Sequence, residues 1–458
     1  MKKSLKQLRH LLDSKQVSAV ELTQECLKRI NDNPNSNAYI TVTEDEALSN
    51  AKAAQEIIDS GEAKPLTGIP AAVKDNICTS GIKTTCGSKM LEEFTPFYDA
   101  RVITQLKKQN YVLLGKTNMD EFAMGNSNRT SYFGSVPNPH DGERVAGGSS
   151  GGSASAVVSG ACAYALGTDT RGSIRQPAAH CGITGLKPTY DLISRQGVAA
   201  FSGSLDTVGF LTNSAEDCAF LISALAYVCG TMWDALSDMK GIKIAVVKEF
   251  FPDDLDSSVK QAVMNTVTEL EKAGAVVVET SVPTLEYAAA ASFVISSAEG
   301  VTAMSRYDGV KYGLRGEGYT YDEQIRDSRT RGFGMEVKRR LMLGNYTLIG
   351  ENYNEFFRKS LAIKQQLCRE FDEVLDNADV IISPTTASTA FKTDEVINPA
   401  KLYSSAMYSV PANMTGLPCV SSPCNKAGMP VGVSVTGRKF DELRILQIAD
   451  YIEKAVSV

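Results

Sequence analysis

The chain has 458 residues, of which 43% are hydrophobic and 22% charged, with a formal net charge of −6. A chain of this length buries a sizeable core, and its composition is that of an ordinary globular protein, which excludes disordered and fibrous classes. The acidic balance argues against a broad nucleic-acid-binding face.

Near the start, Ser18-Ala-Val-Glu21 and Thr43-Glu-Asp-Glu46 read as capping boxes, each opening a helix, the second running to about Gly61. Residues 1–62 are therefore expected to form a helical arm packed on the core or on a partner. Leu66 to Asn76 reads as a short buried strand ending in Lys74. A lysine there either snorkels to water or sits in a dry site, where desolvation makes it a base. From Lys74 to about Gly209 short apolar runs alternate with glycine-rich turns, so residues 66–210 form the candidate catalytic half.

Gly241 to Lys248, a helix from about Ser257 to Ala273, and Ala275 to Glu279 read as a β-α-β unit with parallel strands. Ser292 to Leu375 reads as mainly helical, strands return at Val380–Ser383 and Pro430–Val435, and an amphipathic helix from Glu442 to Val456 closes the chain. The polar stretch Trp233–Lys240 reads as a hinge candidate inside one domain covering 1–458.

The chemistry concentrates in two serine-bearing turns, Val145-Ala-Gly-Gly-Ser-Ser-Gly-Gly-Ser153 and Gly167-Thr-Asp-Thr-Arg-Gly-Ser173. A hydroxyl is a weak nucleophile until a base removes its proton, and the chain holds only three histidines. Gly147-Gly-Ser149-Ser-Gly151 matches the G-x-S-x-G elbow, but that arrangement needs an acid and then a histidine well downstream, and only His180 follows. A flexible linker is excluded by Ala154–Leu166, which is small and apolar and so leads into a buried element. Ser173 would on its own be read as a helix cap.

Lys74 in Val-Lys-Asp-Asn, the Gly-Gly-Ser-Ser-Gly-Gly loop and Asp-Thr-Arg-Gly-Ser-Ile-Arg-Gln-Pro-Ala-Ala together resemble the amidase signature family. The resemblance implies an α/β fold with a central mixed sheet covered by helices on both faces. It also implies a Ser-(cis-Ser)-Lys triad: Ser173 as the acyl-forming nucleophile, Ser149 as the bridging serine after a cis peptide, and Lys74 as the base. Thr170, Arg171 and Gly172 would complete, with Ser173, a turn whose N–H groups face a developing oxyanion.

Gly115–Gly125, Gly332–Gly344 and Gly416–Cys424 narrow the resemblance to the A subunits of glutamyl-tRNA(Gln) and aspartyl-tRNA(Asn) amidotransferases. Such a subunit hydrolyses glutamine and passes ammonia to a partner. The resemblance then implies B and C partner subunits, ATP used by a partner, tRNA met through the complex, and no metal or organic cofactor in this chain. Lys116-Thr117 is not a phosphate loop, since residue 110 is Asn where Walker A needs glycine.

Several positions depart from that pattern. Arg171 stands where the A subunits have glycine, and its side chain is expected to turn away from the acyl pocket. Ala406 stands where an aspartate would hold a substrate ammonium, and Asp191 and Gln196 also differ. Arg340 is available for a substrate carboxylate, its alternative being a helix-surface arginine. A stand-alone amidase for a small amide without an α-ammonium therefore stays open, as does a degenerate paralogue acting as a scaffold.

The ten cysteines contain no Cys-x-x-Cys pair, and most lie beside small or apolar residues, which argues for reduced buried thiols and against a zinc site. No apolar segment follows the first lysines and no run has the length of a membrane span, so the expected location is the cytoplasm.

Overall fold

A computed structural model describes residues 3–226, 233–396, 398–425 and 427–457. Its centre is an eleven-stranded mixed sheet flanked by helices. In chain order the strands are β1 (Tyr39–Val42), β2 (Pro70–Lys74), β3 (Val112–Thr117), β4 (Tyr164–Asp169), β5 (Thr184–Lys187), β6 (Thr207–Thr212), β7 (Lys243–Val247), β8 (Val276–Thr280), β9 (Val380–Pro384), β10 (Cys419–Pro423) and β11 (Gly432–Thr436). They pair in the order β1-β3-β2-β4-β6-β5-β10-β11-β9-β7-β8.

Three of these strands place the site. β2 runs parallel to both β3 and β4, so the ends carrying Thr117, Lys74 and Asp169 open onto the same edge of the sheet. Loops leaving the carboxyl ends of parallel strands form the usual crevice for a ligand in such a sheet. All three strands are buried along their whole length, which is why they read as continuous apolar runs and not as alternating ones.

The predicted β-α-β unit forms: β7 and β8 are parallel, with Ile244 opposite Val277, and the helix Ser257–Lys272 connects them. The stretch read as mainly helical contains the helices Leu285–Met304, Tyr321–Gly332, Met335–Leu348 and Lys359–Asn377. Trp233–Lys240 does not loosen the molecule into halves. Met239 is buried in the main apolar cluster and its N–H donates to the Ala273 carbonyl, while the Asp234 carbonyl accepts from Gln447.

Two expectations for the arm need correction. The first capping box forms, with Ser18 Oγ accepting from the Glu21 N–H and Glu21 Oε2 from the Ser18 N–H. The second does not: Thr43 Oγ1 donates to the Leu113 carbonyl, so the helix Glu44–Asp59 starts without a side-chain cap. The arm is also not wholly helical, because Tyr39–Val42 adds β1 to the sheet edge beside β3. Leu5, Leu8 and Leu12 of the first helix are buried in the main core, and the Leu5 N–H donates to Asp217 Oδ1. The arm therefore packs on this chain's own core.

Among the described residues nine cysteines are free thiols, eight of them buried, and Cys229 lies outside those residues. No described helix is long and apolar enough to cross a membrane.

Candidate active site

Lys74 is fully buried at the end of β2. Its Nζ donates to Ser149 Oγ at 2.7 Å, Ser150 Oγ at 2.8 Å and the Thr168 carbonyl at 3.3 Å. Burial lowers its pKa to about 7, against the opposing pull of the Asp120, Asp169 and Asp206 carboxylates. Near neutral pH the amine is thus partly uncharged and able to accept a proton. Among the described residues no carboxylate stands within ion-pair distance of it.

The Gly148–Ser149 peptide is cis, and an array of hydrogen bonds holds the loop. Ser149 O accepts from the Asp120 N–H at 3.2 Å, and the Gly148 N–H donates to Gln176 Oε1 at 2.8 Å. Only glycine fits at 148, because a Cβ there would run into Asp120 Oδ2. Asp120 in turn accepts from the N–H groups of Ser127, Asn128 and Thr130. The loop leads straight into the buried helix Gly151–Val158, whose small residues let it pack beside β4.

Ser173 follows β4. Asp169, the last residue of that strand, receives the N–H groups of Gly172 at 2.7 Å and Ile174 at 3.1 Å, together with Arg175 Nε at 3.0 Å and Asn413 Nδ2 at 2.9 Å. Burial would raise the Asp169 pKa, but the Arg175 guanidinium more than offsets this and holds it below the usual carboxylate range. Gly172 has φ = +106°, and a Cβ there would meet the Ser409 side chain. Its N–H is spent on Asp169 and not presented to a ligand, a correction to its expected oxyanion role. Among the described residues the N–H groups of Arg171 and Ser173 carry no such bond. The next helix begins only at Arg175, with no side-chain cap, so Ser173 Oγ is not used as one.

The Ser173 carbonyl accepts from the Ser150 N–H at 3.1 Å, which ties the two serine turns together. No hydrogen bond joins the Ser149 and Ser173 hydroxyls. Ser173 lines a cavity of about 1000 Å³ together with Thr170, Arg171, Arg340 and Ala406. Thr170 Oγ1 donates to Asp206 Oδ1 at 2.7 Å, and burial raises the pKa of that carboxyl to about 6.

The sequence pattern of the family described as Amidase matches residues 21–446. The chain belongs to the amidase family. The A subunit of glutamyl-tRNA(Gln) amidotransferase from Caldanaerobacter subterraneus subsp. tengcongensis is 44% identical over 98% of this chain and 95% of its own length. Among solved structures, the protein of that name from Thermotoga maritima is 36% identical, with a TM-score of 0.76 over 95% of this chain and 91% of that one. A crystal structure of an amidase is 27% identical, with a TM-score of 0.87 over 99% of this chain and 100% of that one.

Arg171 packs against a neighbouring helix. Its Nε donates to Ser292 Oγ at 3.2 Å, and its guanidinium lies 5.3 Å from the centre of the Phe293 ring, on the helix Leu285–Met304. This helix offers it an aromatic face and a hydroxyl that do not border the cavity, and the cavity beside Arg171 stays open.

Arg340 is no surface residue either. It is 4% exposed, donates through Nε to Glu336 Oε1 at 2.8 Å, and stacks over Phe201, Phe293 and Tyr403 at 5.3–5.7 Å. Asp191 has a left-handed backbone, φ = +67°. Sequence reasoning missed Ser150, the second hydroxyl on Lys74, and the Asp120 and Asp169 carboxylates. Ser150 could have been found from its place in the same loop, and Asp169 from the Arg175 that follows one helical approach later.

Proposed function

We propose that the chain hydrolyses amides through Ser173, with Ser149 as proton relay and Lys74 as base. The observation that carries this reading is the fully buried Lys74 amine, without an ion-pair partner among the described residues, 2.7 Å from Ser149 Oγ. In the first half-reaction Ser173 Oγ forms a bond to the amide carbonyl while its proton passes to Ser149, whose own proton goes to Lys74. The C–N bond then breaks as the proton returns by the same route to the leaving nitrogen, and ammonia departs. Water next attacks the Ser173 ester, Lys74 again takes a proton through Ser149, and the acid leaves with Ser173 restored. In this reading the Arg171 and Ser173 N–H groups, which carry no hydrogen bond among the described residues, donate to the oxyanion of each tetrahedral intermediate.

The names of these relatives support a further step, in which the ammonia comes from glutamine and serves tRNA-dependent transamidation. In that role this chain supplies the amidase activity, B and C subunits are its partners, tRNA is met through the complex, and a partner uses ATP in the cytoplasm. The stand-alone amidase reading draws support from Ala406, which brings no carboxylate to the cavity wall. The scaffold reading is disfavoured by an open cavity at Ser173.

Ammonia release from glutamine by the chain, alone and with B and C subunits, tests the proposal. Ser173→Ala is expected to abolish release while the fold survives. Activity is also expected to rise with pH through about 7 as Lys74 loses its proton. Release that persists in Ser173→Ala would refute the mechanism.

A further inference from the structure

One buried acid takes no part in the proton relay. Glu121 is 3% exposed, and among the described residues no lysine or arginine stands within ion-pair distance of it. Its Oε1 accepts from Ser88 Oγ at 2.5 Å and from the Gly334 N–H at 3.1 Å, and its Oε2 accepts from the same N–H at 2.9 Å. Burial pushes its pKa up to about 7 against those bonds. An acid kept dry without a counter-charge costs free energy, and apolar packing alone would not need one.

Gly334 is the N-cap of the helix Met335–Leu348 and has no side chain to cap it. Glu121 does from a distance what a capping-box glutamate does locally: it binds the N–H of the N-cap residue at the positive end of the helix. The approach is close, since a Cβ at 334 would lie 2.3 Å from Glu121 Oε2. Beside it the Phe122 and Phe333 rings meet edge to face, with centres 5.7 Å apart. The helix that starts here brings Met335, Glu336, Arg339 and Arg340 to the cavity that Ser173 lines.

The preceding residue reaches the other way. Asp120 N–H donates to Ser149 O, and a Cβ at Gly148 would run into the Asp120 carboxylate. Phe122 and Ala123, which follow, have φ = +49° and +60°, a left-handed backbone that residues other than glycine adopt at a cost. Strain of this kind persists only where the surrounding structure fixes it. The turn 120–123 thus joins the serine loop to one wall of the cavity.

We propose that Glu121 is a positioning residue, which pins the start of the helix Met335–Leu348 to the strained turn 120–123 and so sets the distance between that wall and Ser149. The inference rests on the reading of Ser173 and Ser149 as the reacting hydroxyls. The pin acts on the wall and not on the relay, so it governs substrate binding more than turnover.

Ammonia release from glutamine is measured with the full chain, alone and with B and C subunits, for the native sequence, Glu121→Ala and Glu121→Gln. Glu121→Ala is expected to raise KM roughly tenfold, the worth of hydrogen bonds to a buried carboxylate, with a smaller loss of kcat. The rise of kcat near pH 7 should stay in place. Glu121→Gln keeps an oxygen for the Gly334 N–H and should recover most of the affinity. A chain that merely unfolds in part would lose kcat at constant KM, because its folded fraction binds as before. Hydrogen exchange gives a readout that needs no substrate. In Glu121→Ala the amides of Met335, Glu336 and Val337 should exchange about tenfold faster or more, and those of the helix Gly151–Val158 should not change. A native KM in Glu121→Ala, or unchanged exchange at the helix start, overturns the pin. No release from glutamine by the native chain, alone or in the complex, removes the catalytic reading instead, and exchange then decides the pin by itself.

Discussion

Lys74 and Lys116 occupy neighbouring parallel strands, both fully buried, yet their surroundings differ in kind. Lys74 is opposite Thr117 and Lys116 opposite Val73, so strand alternation sends the two amines to opposite faces of the sheet. Lys116 Nζ lies 3.5 Å from Asp75 Oδ1 and donates to the Ile77 carbonyl and Thr84 Oγ1, both at 2.8 Å. Lys74 meets two serine hydroxyls and a carbonyl in place of a carboxylate. Burial lowers both pKa values. A carboxylate partner turns a buried lysine into a structural ion pair, whereas hydroxyl partners leave it free to exchange protons with them. The same residue type is an ion-pair partner on one face and, in the proposed mechanism, the base on the other.

The sharpest way to break this comparison is to remove each amine. Lys74→Ala is expected to lower kcat/KM by about 10²–10⁴ or more, the usual worth of a positioned base, with near-native circular dichroism; a loss of only a few-fold would contradict its role. Lys116→Ala should act on stability instead. It strands the Asp75 carboxylate, and breaking a buried pair in this way costs about 3–5 kcal/mol. Denaturant unfolding measures that cost, and Asp75→Asn, a milder change, should weaken stability less. In whichever of Lys116→Ala and Asp75→Asn stays folded, the rise of activity near pH 7 should not move, since the Lys74 side of the sheet is untouched.

A smaller effect sharpens the contrast further. Because Lys74 is lowered from 10.5 to about 7, the unfolded chain binds more protons there than the folded chain between those values. Its contribution to stability therefore rises with pH across that window and is least below about 7. The stability difference between the native chain and Lys74→Met should follow that course. A difference that is flat from pH 7 to 10 would mean that the amine is not desolvated.

How far the residues themselves disclosed this arrangement varies with the range of the interactions. The turns that carry Lys74, Ser149 and Ser173 were readable because each is a short motif whose glycines and small residues dictate its backbone. The β7-helix-β8 unit was readable from local periodicity. β1 was not, because four residues after a helix carry little pattern and its pairing with β3 is decided about 70 residues away in the chain. Thr43 looked like a cap by spacing, but a distant carbonyl, that of Leu113, takes its hydroxyl. What holds the Arg171 side chain was not readable, because the Phe293 ring and Ser292 come from a helix more than a hundred residues downstream.

By itself, then, the sequence determined the chemical parts: a lysine ending an apolar strand, two serines in glycine-built turns, and strand segments long and apolar enough for a buried parallel core. Tertiary structure alone decided the charge environment of each part. It brought hydroxyls to Lys74 and a carboxylate to Lys116, and it set two guanidiniums beside one aromatic ring. The physical reason is that backbone turns answer to neighbouring residues, while desolvation and ion pairing depend on whichever distant side chains the fold brings within a few ångströms.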